Sequence, residues 1–325
     1  MTMDTHDERP ICPLCKSRST RPRPGYQHVV PGDWSLYQCS DCGTSFIHPM
    51  PDSETLSGYY DVDYYGQGGG KFVGSVEAIV RFFRYLRARA VRRLIPQGRV
   101  LDVGCGRGLM LKFLKSWGYR VDGIELDTVA GDRASRNLNQ QIFRTLEEPT
   151  QRRSDPYQAI CFWHSLEHMP EPGKALEMAD RLLAPGGLLV ISAPHMESLQ
   201  SRLSGPSWLH LDLPRHVIHF DMKRLAAFFQ TRGYRVIHHR HFSQEYNVID
   251  SLCYPYAMLG FGRRFPFDLI QGARRHKDCI TSNPLRKIIG LSLLLHLTVI
   301  AFCSASLFSL LKSGSTVTLF LKKTG

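Results

Sequence analysis

Val100-Leu101-Asp102-Val103-Gly104-Cys105-Gly106-Arg107-Gly108 is an apolar run that passes directly into three spaced glycines. The apolar half is typical of a buried strand, and the glycines indicate a tight turn before a helix. Glycine lets the backbone approach a ligand closely, and the N-terminus of the next helix offers N–H groups to a carboxylate or phosphate. The stretch therefore predicts a strand–loop–helix unit that binds a cofactor.

An acidic residue at the end of the next apolar run supports that prediction. Glu125 follows the run Tyr119–Ile124, where a carboxylate can accept hydrogen bonds from both hydroxyls of a ribose. A dinucleotide-binding loop would have glycine at its sixth position, where this chain has Leu109. The pattern therefore argues against NAD. A turn whose glycines serve packing alone is the structural alternative, which the carboxylate disfavours.

Strand-like and helix-like segments alternate around the glycine loop, and this alternation predicts an α/β fold with a parallel sheet. The expected strands are Arg99–Val103, Tyr119–Ile124, Gln141–Arg144, Tyr157–Trp163, Leu188–Ala193, Tyr234–Arg240 and Thr316–Lys322. The expected helices are Gly108–Trp117, Val129–Asn137, Lys174–Leu183 and a helix between Asp221 and Thr231.

Five regions follow along the chain of 325 residues. We expect a zinc-ribbon-like module at 1–50, a Tyr/Gly-rich linker with a basic helix at 51–97, and a Rossmann-like domain at 98–240. A hydrophobic insertion then occupies 241–314, and the last strand of the sheet lies in 315–325.

Four segments in order resemble the successive motifs of class I S-adenosylmethionine (SAM)-dependent methyltransferases, in the group of ubiquinone-biosynthesis-like and sugar methyltransferases. They read VLDVGCGRG, GIELD, FWHSLEHMPEPGKAL and LLAPGGLLVISAPH. The resemblance covers residues 78–240 and the last strand. It implies a seven-stranded sheet with helices on both faces, whose last two strands are antiparallel.

The resemblance also implies which residues hold SAM. The three loop glycines would line the methionine part, Asp102 would order the loop near the cofactor ammonium, and Glu125 would bind the ribose. His164 would lie near the methyl donor. The implied cofactor-binding set is Asp102, Gly104, Cys105, Gly106, Gly108, Glu125, Leu126 and His164.

Two CxxC pairs near the N-terminus predict a structural zinc site. Cys12 and Cys15 form one pair and Cys39 and Cys42 the other, each among turn-forming residues. Four thiolates complete a closed tetrahedral site with no open position. A redox pair is the alternative, which the second pair disfavours. The module is similar to the zinc-binding N-terminal domains of some sugar C-methyltransferases.

The segment His164–His168 matches HxxEH, an inverted zinc-protease signature. Pro170 and Pro172 follow at once, so a helix long enough to present both imidazoles is not expected. The methyltransferase interpretation accounts for the segment without a metal.

Polar residues after the fifth strand are the candidates for acceptor chemistry, because loops at that strand end face the site in open α/β folds. A histidine is a suitable base near neutral pH. We predict His216 and His219 as the base, with Asp212 orienting it. For each histidine, helix capping or packing is the alternative.

The stretch from Ile288 to Leu311 carries no formal charge and is long enough to cross a bilayer. If the last strand pairs with Tyr234–Arg240, however, a single crossing would separate two paired strands. The remaining possibilities for this stretch are a buried helix, a re-entrant hairpin or an interfacial segment. Basic residues precede the stretch, as in sequences that dock on anionic headgroups.

Composition bounds the function. The formal net charge of +12 indicates attraction to an anionic partner, or solubility alone. Residues 1–11 show no secretory signal, so we expect a reducing cytoplasm and no disulfide framework. We predict a methyltransferase at the inner face of the cell membrane, acting on a small-molecule, sugar or lipid-linked glycan or isoprenoid acceptor. An RNA methyltransferase and a non-catalytic SAM-binding scaffold are the alternatives.

Overall fold

A small antiparallel sheet begins the chain in this computed structural model, which describes residues 9–27, 34–59, 74–151, 155–241, 243–261, 265–266 and 284–324. Its strands are β1 (Thr20–Gln27), β2 (Ser35–Cys39) and β3 (Ser45–His48). Helix α1 (Ser53–Ser57) follows, capped by the Asp52 side chain, which accepts from the backbone N–H of Thr55. Most of the predicted Tyr/Gly-rich linker lies outside the described residues.

The α/β domain follows, and its helices and strands agree closely with the sequence prediction. Its first half comprises α2 (Gly74–Leu94), β4 (Arg99–Val103), α3 (Leu109–Ser116), β5 (Arg120–Ile124), α4 (Thr128–Leu138) and α5 (Glu147–Gln151). Its second half comprises β6 (Tyr157–Trp163), α6 (Pro172–Leu182), β7 (Leu183–Pro194), α7 (Leu199–Ser204), β8 (Ile218–His219), α8 (Met222–Gln230) and β9 (Tyr234–Arg240). The insertion contributes α9 (Gln244–Met258) and α10 (Pro284–Leu310), and β10 (Thr316–Lys323) closes the fold.

The large sheet has the strand order β5-β4-β6-β7-β10-β9. The first four strands are parallel, whereas β10 runs antiparallel to both of its neighbours, β7 and β9. This confirms the predicted α/β fold and the antiparallel final pair. The last strand is therefore in the sheet, between two strands that precede it in sequence.

The predicted strand Gln141–Arg144 contributes only one bridge, between Phe143 and Ile124, so six strands are assigned where seven were expected. The backbone N–H of Thr145, which a continued parallel ladder would use next, donates instead to the carboxylate of Glu148 at 3.1 Å. Because that donor turns to a local side chain, the ladder ends after one bridge.

Alternating side chains of the central strands pack into two cores, one on each face of the sheet. Leu101 and Ile160 belong to the core that includes α6 and α8, whereas Val100 and Cys161 belong to the core with α2, α3 and α4. Helices therefore cover both faces, as predicted.

The N-terminal sheet is joined to the α/β domain rather than separate from it. The short strand β8 pairs with β3, with Phe46 opposite Ile218 and Ser45 opposite His219. Side chains of the N-terminal sheet and of α6, α8 and the large sheet form one buried cluster. Gly173 packs so tightly on the N-terminal segment that an added Cβ would lie 2.5 Å from the carbonyl oxygen of Leu14.

The insertion packs α9 against α10 around a small apolar cluster of its own, which includes Leu252, Tyr256 and Ala301. The Tyr256 hydroxyl donates to the Gly290 carbonyl at 2.6 Å. Large apolar side chains on α10 and just after it remain exposed: Ile288, Ile289, Val299, Ile300, Phe302, Leu307, Leu310 and Leu311.

No single helix in the described part of the chain is long and apolar enough to cross a membrane. The segments Ile288–Leu294 and His296–Leu310 meet the length and hydropathy criterion only together, and they are bent by 46°. The basic residues at 274–277 lie outside the described residues.

Candidate functional site

The turns that follow β4, β5 and β6 lie next to one another at the carboxyl edge of the large sheet. Because β4, β5 and β6 are parallel, their ends lie side by side, and the residues that follow them are Gly104, Glu125 and His164. Open α/β sheets bind ligands at this edge. The sequence-predicted cofactor residues therefore come together in one place.

The glycine loop needs glycine for two separate reasons. Gly104, Gly106 and Gly108 all have positive φ, at 78°, 55° and 68°. A Cβ on Gly104 would also lie 2.5 Å from the Cβ of Ser165, whereas a Cβ on Gly106 would meet nothing within 4 Å. The loop is therefore packed on one side and open at Gly106, which suits close approach of a ligand.

Asp102 carries a buried carboxylate with an unused acceptor. Its side chain is buried, and its Oδ1 has no hydrogen-bond partner among the described residues. Burial raises the pKa of Asp102 to about 7, against the opposing positive charges of Arg87 and Arg84. A cationic ammonium group held at the loop would favour the ionised form, so the residue fits the role implied for it.

Glu125 connects the glycine loop to the next turn through hydrogen bonds of its carboxylate. Its Oε2 accepts from the backbone N–H of Gly106 at 2.7 Å, and its Oε1 accepts from that of Asp127 at 3.1 Å. Burial raises the pKa of Glu125. The adjacent Leu126 is 79% exposed, and such an apolar side chain offers a surface for a planar base. Arg144 holds this turn by donating to the carbonyls of Glu125 and Asp127.

His164 lies at the end of β6 in a left-handed backbone conformation, with φ of 55°. Its Nδ1 is 3.2 Å from Oε1 of Glu167, and its Nε2 is 3.3 Å from the hydroxyl of Ser192. Burial, together with the charge of Arg87, holds the pKa of His164 well below its usual range. The ring is therefore neutral at pH 7.

An aromatic residue of the insertion covers His164. The Tyr246 ring, in the first turn of α9, stacks on the imidazole with centroids 3.9 Å apart and an interplanar angle of 28°. Arg87 lies over Trp163 and Tyr246, with its guanidinium 5.1 and 5.9 Å from the two ring centroids. These contacts were missed by sequence reasoning, because Tyr246 is distant in the chain and follows no recognisable motif.

The three catalytic candidates occupy a buried block beside this edge. Asp212 forms a two-point ion pair with Arg215, with the closest atoms 2.5 Å apart. His216 and His219 are both buried, and each has one ring nitrogen on a backbone carbonyl. Burial lowers the pKa of His219 to about 4 and that of His216 well below its usual range. Their assignment as base stays a prediction.

The four N-terminal cysteines form one compact cluster, with all four sulfurs within 4.8 Å of one another. The Sγ atoms of Cys12 and Cys42 are 3.5 Å apart, and those of Cys15 and Cys39 are 3.6 Å apart. A tetrahedron of Zn–S bonds of about 2.3 Å separates sulfurs by about 3.8 Å. A hydrogen bond from Cys12 lowers the pKa of Cys42 to about 5. The residues fit zinc.

The sheet order, the reversed final strand, the glycine loop and the carboxylate after β5 together define a class I SAM-dependent methyltransferase domain. The family model for the methyltransferase domain matches residues 77–239, half of the chain. The chain belongs to this family, which confirms the resemblance noted from the sequence motifs.

Curated relatives include ubiquinone biosynthesis O-methyltransferases. That of Xanthomonas campestris pv. campestris (strain B100) is 29% identical over 154 residues, which are 44% of this chain and 64% of the relative. That of Psychrobacter cryohalolentis is 32% identical over 105 residues, 29% of this chain and 40% of the relative. The chain thus spans less than two thirds of the length of these relatives.

Solved structures with a similar fold include a SAM-dependent methyltransferase from Archaeoglobus fulgidus, at 19% identity and a TM-score of 0.44, covering 74% of this chain and 94% of that one. The plantazolicin methyltransferase BpumL in complex with SAH is 15% identical with a TM-score of 0.44, covering 85% of this chain and 92% of that one.

Proposed function

We propose that the protein transfers the methyl group of SAM to a hydroxyl oxygen of a lipid-like acceptor, an isoprenoid or a lipid-linked sugar, at the inner face of the cell membrane. The stacking of Tyr246 on His164 carries the proposal. It connects the donor edge directly to α9, the first helix of the hydrophobic insertion.

Buried polar contacts fix α9 against the edge of the sheet. The Asn247 side chain accepts from the backbone N–H of Thr316, and the Trp208 indole donates to Asp250 at 3.1 Å. The other end of the insertion exposes the apolar side chains of α10. An acceptor with a polar head and an apolar tail could therefore reach the donor edge along the insertion.

The reaction requires little covalent chemistry from the protein. SAM supplies an activated methyl group, and the acceptor oxygen must lie in line with it. The acceptor proton must leave as the new bond forms, which calls for a neutral base. His216 and His219 remain the proposed bases, with Asp212 as the orienting group. Their lowered pKa values keep both imidazoles neutral at pH 7.

The two relatives described above support oxygen as the attacking atom, since both are named as O-methyltransferases. We further propose that Cys12, Cys15, Cys39 and Cys42 bind a structural zinc ion, on the spacing and separation of their sulfurs.

The alternatives make different predictions. An RNA methyltransferase would use the zinc cluster and the net charge of +12, and its activity would require a polyanion. A scaffold that only binds SAM would show no turnover. The membrane hypothesis is favoured because exposed apolar side chains, rather than exposed aromatic residues among cations, dominate α10.

The test compares lipid extracts and RNA from cells with and without the protein, after feeding methyl-labelled methionine. We expect label in a lipid-extractable product that requires the intact loop and is absent with Gly104→Arg. Tyr246→Ala should lower incorporation while SAM binding by the purified protein stays intact. Label in RNA alone, or in neither fraction with SAM binding intact, would contradict the proposal.

A further inference from the structure

Three metal-ligating side chains meet in a second place, behind the donor edge. Glu167 and His168 belong to the single helical turn Leu166–His168 after β6, and His216 belongs to the loop before β8. One ligand atom from each lies within 4.8 Å of the others. The backbone N–H of Val217 donates to the Glu167 carbonyl at 3.0 Å, which holds the two segments together.

Backbone carbonyls orient both imidazoles. His168 Nδ1 lies 2.9 Å from the carbonyl oxygen of Arg215, and His216 Nδ1 lies 2.7 Å from that of His210. Such a bond places the proton on Nδ1 and the lone pair on Nε2. The rings meet edge to face, with centroids 4.7 Å apart. Histidines that ligate metals are typically oriented by this kind of second bond.

Glu167 supplies an independent observation. Its side chain is only 1% exposed, and its Oε1 lies 3.2 Å from Nδ1 of His164. Among the described residues, however, neither carboxylate oxygen has a partner with hydrogen-bond geometry. A buried carboxyl group that accepts no hydrogen bond is costly, whereas a dication beside it would compensate its charge.

We propose that Glu167, His168 and His216 bind a transition-metal dication, for which Zn²⁺ is the probe, separately from the cysteine cluster. Two imidazoles and one carboxylate suit a borderline-soft cation better than Mg²⁺, which prefers oxygen ligands. Three protein ligands leave a fourth position open, unlike the closed cysteine site. With His216 engaged as a metal ligand, His219 alone remains as the proposed base.

The site lies next to the proposed methyl-donor site. Ser165, two residues before Glu167, donates its hydroxyl to the Val103 carbonyl at 2.6 Å and packs against Gly104. The metal content of the protein can nevertheless be measured without SAM and without an acceptor.

The test counts zinc in the full-length protein by elemental analysis after equilibration with Zn²⁺ and removal of excess ion. The wild type should hold two zinc ions per chain. Cys39→Ser should hold one, His216→Gln should hold one, and the double variant none. Co²⁺ in Cys39→Ser should lack the thiolate charge-transfer absorption that Co²⁺ in His216→Gln shows.

Glu167→Gln keeps the size of the side chain, so it tests the site if the histidine variant folds poorly. His195→Gln is the matched control, because His195 is also a buried histidine but lies outside the cluster. It should keep two ions. The proposal would be overturned if the wild type held only one zinc ion and Cys39→Ser held none. It would also be overturned if His216→Gln or Glu167→Gln held as much zinc as the wild type, even if turnover falls.

Discussion

Gly104 and Gly106 lie two residues apart in one loop and share a left-handed backbone, yet their surroundings differ. Replacing Gly104 by alanine adds a clash with Ser165 to the backbone strain, whereas Gly106→Ala adds strain alone. A left-handed backbone costs a non-glycine residue about 1–2 kcal/mol. We therefore expect calorimetry to show SAM affinity abolished in Gly104→Ala and lowered about ten-fold in Gly106→Ala. Equal affinities in the two variants would contradict this account of the loop.

Glu125→Ala should weaken SAM binding without unfolding the protein. The carboxylate would lose its bonds to the ribose and its hold on the backbone N–H of Gly106. A hydrogen bond to a charged group contributes about 1.5–3 kcal/mol, which corresponds to a loss of affinity of about 10- to 150-fold. Asp155→Ala is a control, since its carboxylate pairs with Arg120 at the surface. Similar SAM affinities in the two variants would argue against a ribose role.

Asp102 should lower the stability of the protein at neutral pH. Its pKa is about 7 in the folded chain and near 3.8 when solvated, so the folded state binds the proton more tightly. The free energy of unfolding should therefore fall as the pH rises from about 4 to about 7. Asp102→Asn should remove that decline and stabilise the protein at pH 8 by on the order of a few kcal/mol, while weakening SAM binding. Urea denaturation at pH 4.5 and pH 8 measures the difference, and an unchanged decline would contradict it.

At the scale of secondary-structure elements, local patterns were sufficient for the α/β domain. The strands β4, β6 and β9 begin and end where the apolar runs predicted. The runs of β4 and β6 carry their own signal, because burial on both faces selects apolar residues along a short segment. The edge strand β9 is mostly half-buried or exposed, and the glycine that ends the preceding helix predicts where it begins. The glycine loop and the two CxxC pairs can likewise be recognised from short stretches of sequence.

Non-local contacts could not be predicted from the same patterns. The two-residue strand β8 has no periodicity of its own, and its pairing with β3 depends on a segment far away in the chain. The stack of Tyr246 on His164 likewise joins two regions with no shared motif. Sequence reasoning placed His219 by its position after the fifth strand, whereas the structure places it in the N-terminal sheet.

Because β3 pairs with β8, removal of zinc should affect the backbone hydrogen bonds of both strands. Cys39→Ser should lose zinc, keep SAM binding and lose amide hydrogen-exchange protection in both β3 and β8, because a metal site of this kind is coupled to folding. Cys303→Ser is the control, since Cys303 is exposed on α10. Loss of protection confined to the strands before residue 50 would mean that the two parts fold independently.

At the scale of the whole molecule, the exposed apolar face of α10 should hold the protein on membranes. Val299→Lys and Ile300→Lys replace side chains that are 58% and 59% exposed, so neither change disturbs a core. Each should weaken binding to anionic vesicles about ten-fold or more, since burying such a side chain contributes about 1.5–3 kcal/mol. Ile11→Lys, in the N-terminal region, should bind like the wild type. Sedimentation with vesicles measures this, and release of the wild type by salt alone would contradict it.

The position of β10 bears on the order in which the chain can fold. Strands β7 and β9 are complete long before β10 is synthesised, and each then has an edge of unpaired N–H and C=O groups facing the gap. The nascent chain must keep this gap open while the two helices of the insertion emerge. Pairings so distant in sequence form slowly, and open strand edges invite association with other chains. Early docking of α9 and α10, on a bilayer or on each other, would hold the gap in place until the final strand arrives.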